Sequence, residues 1–76
     1  MSTIAKKIAA LYATAEAASR DEDASDATIG ETYGAISVLT QLAHEMDVER
    51  QVEAEVKRIL GDPYFRILDP GEVTEY

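Results

Sequence analysis

The sequence predicts an all-α fold: a small three-helix bundle, or a helical hairpin plus a third helix, with a partly docked C-terminal tail. Two observations carry this. Apolar residues recur at steps of three and four in three successive stretches, which is the spacing of one helical face. The last stretch stops at Gly61-Asp62-Pro63, a glycine suited to the left-handed position after a helix and a proline that forbids continuation. At 76 residues the chain has room for one domain, residues 1–76, and one compact core.

The first helix is expected over about residues 3–19. Ser2 or Thr3 supplies an N-cap, and Ile4, Ile8, Leu11, Ala15 and Ala18 fall on one face. Seven alanines between Ala5 and Ala18 favour the helix and keep it thin, so that a neighbour can approach closely. Residues 20–27 then read as an acidic loop, because Asp21, Asp23, Ser25 and Asp26 compete with helical hydrogen bonds. The second helix is expected over about residues 28–46. Thr28 followed by Glu31 has the form of a capping box, with Ser25 or Asp26 as alternative caps.

Ile29, Tyr33, Ile36, Leu39, Ala43 and Met46 form the broad core face of this second helix, with Leu42 at its edge. Gly30, Gly34 and Ser37 make a small-residue strip on the other side, read as close packing against the alanine-rich first helix, with an irregular first turn or a dimer contact as the alternatives. Beyond it, Val48, Val52, Val56 and Ile59 form a stripe turned by roughly 160° from the preceding one at 100° per residue. A straight helix could not bury both stripes on one neighbour. A break is therefore placed at Met46-Asp47, with Asp47 as N-cap of a third helix over about residues 47–60. The alternative is an unbroken helix whose two ends face different partners. In the tail, residues 61–76, the segment from Tyr64 to Leu68 is expected to pack on the helices and residues 71–76 to be loose.

Charge and composition exclude several classes. Fifteen acidic residues against seven basic ones give a net charge of −8, concentrated after residue 20. Such a surface repels phosphate backbones and attracts a basic partner, so direct nucleic-acid binding is not expected. A helix-turn-helix regulator is disfavoured for the same reason, since its recognition helix would carry Glu49, Glu53 and Glu55. The apolar runs are too short to span a bilayer and the N-terminus lacks a signal-peptide pattern. A cytoplasmic location, in a bacterium or one of its phages, and no membrane partner are expected.

No catalytic, cofactor or metal site is expected. Asp21, Asp23 and Ser25 occupy the first, third and fifth positions of a calcium loop. Asp26 stands where that loop needs glycine, and Thr32 where it needs glutamate. His44 is the sole histidine, and the absence of cysteine removes thiol chemistry. No nucleophile elbow or glycine-rich phosphate loop is present.

What remains is a protein–protein interaction module: an adaptor, an accessory subunit, or an inhibitor of a larger protein. The contact residues expected from the sequence are Glu45, Glu49, Val52, Glu53, Val56, Tyr64 and Phe65. A homodimer is expected because the third stripe has no evident cover within the chain. The competing reading is an acidic nucleic-acid mimic, similar in size and charge to phage anti-defence proteins.

Overall fold

The computed structural model describes residues 2–68, and the expectation for residues 71–76 lies outside them. Three helices form: α1 (Thr3–Ser19), α2 (Asp26–Glu45) and α3 (Glu49–Leu60). Ser2 caps α1, its hydroxyl accepting from the Ala5 N–H at 3.2 Å. The cap of α2 is Ser25, whose Oγ accepts from the Thr28 N–H at 3.2 Å. The capping box beginning at Thr28 is thus corrected. Ser25, one of the alternative caps, presents its hydroxyl three residues before Thr28, and Asp26 follows it with an acid in the first turn, where the helix dipole favours negative charge.

The break between the second and third segments is present, but Asp47 plays a different part from the one expected. The Asp47 N–H donates to the His44 carbonyl at 3.1 Å and the Val48 N–H to the Ala43 carbonyl at 3.0 Å. Asp47 itself has φ 55, in the left-handed region. Those two bonds with a left-handed residue between them are a Schellman ending of α2, so Asp47 closes α2 and does not cap α3. Val48 stands at the start of α3 without a side-chain cap. Gly61 ends α3 at φ 64, as the sequence predicts.

The two left-handed residues lead to a stability prediction. A side chain at such a φ costs about 1 kcal/mol, less for aspartate than for most residues. Asp47→Gly is expected to raise Tm by about 2–4 °C, whereas Gly61→Ala lowers it by about 4–8 °C. Paired thermal melts check this. A fall in Tm for Asp47→Gly would mean that the aspartate side chain itself holds the turn.

Both α2 and α3 lie against α1 and touch each other sparingly. The alanine-rich helix is therefore the centre of the bundle. It buries Ala5, Ile8, Ala9, Tyr12, Ala13 and Ala15. That set is turned by roughly a quarter turn from the face read from the sequence, which placed Leu11 inside and omitted Tyr12. From α2 come Ile36, Leu39, Thr40 and Ala43, and from the α3 segment Val48, Val52 and Val56.

Because the turn at Met46-Asp47 folds α3 back, both stripes reach α1 from different sides. The third stripe thus has its cover within the chain, which removes the reason first given for a homodimer. Beyond α3 the tail returns over the bundle. Phe65 is 6% exposed and meets Tyr12 edge-on, with ring centroids 5.7 Å apart and planes at 80°. The Ile67 N–H donates to Glu53 Oε1 at 2.9 Å, tying the tail to α3.

Candidate interaction groove

The six-residue connection at 20–25 returns α2 along α1, and the two helices leave an open groove on the side away from the core. Its volume is about 590 Å³. From α1 it is lined by Leu11, Thr14, Ala15 and Ala18, and from α2 by Thr28, Glu31, Thr32, Gly34, Ala35, Val38 and Leu39. The α1 set follows the helical steps 11, 14, 15, 18. The α2 set contains a second row, 31, 35 and 38, distinct from the core row. Leu11 is 60% exposed and Val38 is 65% exposed. Among the lining residues only Glu31 is charged, on a chain whose net charge is −8.

Gly34 lines the groove without a side chain. A Cβ built on Gly30 or Gly34 would meet nothing within 4 Å. The expectation that this glycine strip packs closely against α1 is therefore corrected: the two glycines border open space. The reason lies in the orientation of α2, which turns Ile36, Thr40 and Ala43 toward α1 and leaves Gly34 and Ala35 outside.

The residues that the sequence grouped as one contact surface are divided by the fold. Val52 and Val56 are both 0% exposed, and Phe65 is buried against Tyr12, so these three belong to the core and present no surface to a partner. The correction follows from α1 covering the third stripe. Tyr64 is 91% exposed, and Glu45 is exposed at the end of α2. Glu49 meets His44 Nδ1 at 3.2 Å, and Glu53 holds the tail. A small polar notch of about 330 Å³ lies beside Asp47 and Arg50 at the start of α3.

No family model matches the chain, and neither does any curated protein or solved structure. Further acids are engaged within the chain: Glu16 and Asp62 both pair with Arg20, at 3.4 and 3.1 Å, and Glu55 pairs with Arg58. Among the described residues, no group of three or more histidines or acids is placed to hold a metal ion, and no helix is long and apolar enough to cross a membrane. The buried hydroxyls of Thr40 and Tyr12 satisfy one another at 3.4 Å. Burial pushes the Tyr12 phenol above its ordinary value, and the hydrogen bonds it makes only partly oppose this.

Sequence reasoning missed Leu11 and Val38 as surface residues. Val38 lay outside the core row, and with Glu31, Ala35 and Leu42 it forms the second row that would have pointed to the groove.

Proposed function

We propose that this chain is a protein–protein interaction module, an adaptor, accessory subunit or inhibitor of a larger protein, whose working surface is the α1/α2 groove. The observation that carries this reading is the exposure of Leu11 and Val38 beside a trough floored by small residues. Large apolar side chains left in water around a concavity with one charge are the composition of an interface centre. The trough between two helices lying side by side suits an apolar helix, and the small residues at Gly34, Ala35, Ala15 and Ala18 allow its backbone to come close. The acidic residues support a lesser role, because Glu49, Glu53 and Glu55 are each engaged within the chain.

Affinity capture from the native cells tests this reading. Leu11→Asp with Val38→Asp is expected to reduce specific capture by tenfold or more on the order-of-magnitude scale of interface anchors. Neutralising Glu49, Glu53 and Glu55 together to glutamine is expected to change it little, as is added salt. Capture that survives the groove substitutions but collapses on neutralisation would overturn the reading in favour of an acidic mimic.

A further inference from the structure

We infer that the helices seated on this groove are those of a second copy of the chain, joined about a two-fold axis that sets Leu11 and Val38 of each copy into the small-residue half of the other's groove. The inference rests on the groove being an interface and names its occupant.

The first argument is shape. The groove has two unlike halves. Leu11 and Val38 protrude at one end. Toward the other end the lining falls to Ala15, Ala18, Gly34 and Ala35, and nothing beyond the local helix backbone stands within 4 Å of where a Gly34 Cβ would be. A surface with knobs at one end and a hollow at the other is complementary to itself under a two-fold axis across the groove. That is the property an isologous interface requires. An unrelated helix would have to match both halves separately.

The second argument is charge. Lys7 lies one turn before Leu11 on the same row of α1, and Glu31 lines the hollow end of the groove. Turning one copy over the other brings each Lys7 toward the Glu31 of the opposite copy, so the pairing is made twice. The five acids of residues 45–55 lie outside the groove lining, which keeps half of the net charge of −8 per copy away from the contact.

The third argument is area. A helix the length of α1 is about 25 Å long, and two helices side by side present a face about 20 Å wide, so each copy can cover about 500 Å². The total of about 1,000 Å² stands at the lower limit for a specific interface. A dimer in the micromolar range is expected.

Sedimentation velocity of the full chain from low to high micromolar concentration is the test. The wild type is expected to pass from monomer to dimer across that range. Leu11→Asp with Val38→Asp is expected to stay monomeric while its far-ultraviolet circular dichroism remains that of the wild type. Lys7→Glu alone and Glu31→Lys alone are each expected to weaken the dimer about three- to tenfold, and the two together to restore it. The chain has no cysteine, so Ala35→Cys gives a single thiol near the proposed axis. Mild oxidation is expected to link it into a dimer, and not to link Tyr64→Cys.

A wild type that stays monomeric throughout overturns the inference. If groove substitutions still abolish capture of another protein by that monomer, the interaction reading survives and only the second copy is refuted. A dimer indifferent to Leu11, Val38 and the charge exchange places self-association elsewhere and also overturns it.

Discussion

Val56→Asp, and equally Val52→Asp, is expected to abolish the cooperative thermal transition of this protein. Both valines are fully buried where α3 meets α1. An aspartate there places a carboxylate in the hydrophobic core without a partner, at a cost of several kcal/mol, or about 3–5 kcal/mol where an unpaired buried charge has been measured. A chain of 76 residues has a total stability of about 4–11 kcal/mol at the usual value per residue, so most of it would be consumed. Val38→Asp is the contrast: at 65% exposure it is expected to shift stability by no more than about 0.5 kcal/mol. Circular dichroism melts of the three variants decide the matter. A folded Val56→Asp that had lost only binding would show that the third stripe faces outward.

The second large effect is expected at the junction of α1 and the tail. Phe65→Ala removes a ring buried edge-on against Tyr12 and is expected to cost about 3 kcal/mol. Tyr12→Ala is expected to cost a similar amount. The double variant should lose about 1 kcal/mol less than the two single losses combined, because the aromatic contact is counted once in each. Additive losses in denaturant titrations would mean that the two rings are not coupled.

Tyr12→Phe isolates the hydroxyl. At neutral pH it is expected to cost about 1 kcal/mol, since Thr40 loses its buried partner. The pH dependence follows from the raised phenol. The folded state holds this proton more firmly than the unfolded chain, whose value is 10.0, so the stabilising contribution is complete below pH 10.0 and is lost as pH rises through the folded value. Tyr12→Phe is expected to flatten that alkaline decline relative to the wild type. An unchanged alkaline slope would contradict the burial of the phenol.

The helices were legible because their ends carry strong local signals. Ser2, the Asp47 region and Gly61-Asp62-Pro63 mark boundaries through backbone chemistry that needs no tertiary context. The reversal of the apolar face near Met46 likewise announced the break. The orientation of α1 was not legible. A helix with alanine on every side has no dominant apolar face, so Leu11 and Tyr12 competed for the interior and only the packing of α2, α3 and Phe65 decided for Tyr12.

That one rotation determined the candidate site. With Leu11 placed inside, the spare apolar surface falls on the second and third helices and on Tyr64 and Phe65; with Tyr12 inside, α3 and Phe65 are covered and the open face moves to α1/α2. The acids at Glu49 and Glu53 were identifiable as surface charge. Their contacts with His44 and with the Ile67 N–H depend on how the chain turns back, which spacing alone does not encode.

The central claim is that the groove between α1 and α2, rather than the acidic face or Tyr64, is where this protein meets another chain. Amide chemical-shift mapping of the full chain, as its own concentration is raised or a captured partner is added, tests it most directly. The account expects the shifts to cluster at Leu11, Thr14, Ala18, Gly34, Ala35 and Val38. Shifts confined to residues 45–55 and Tyr64, with the groove amides unmoved, would contradict it.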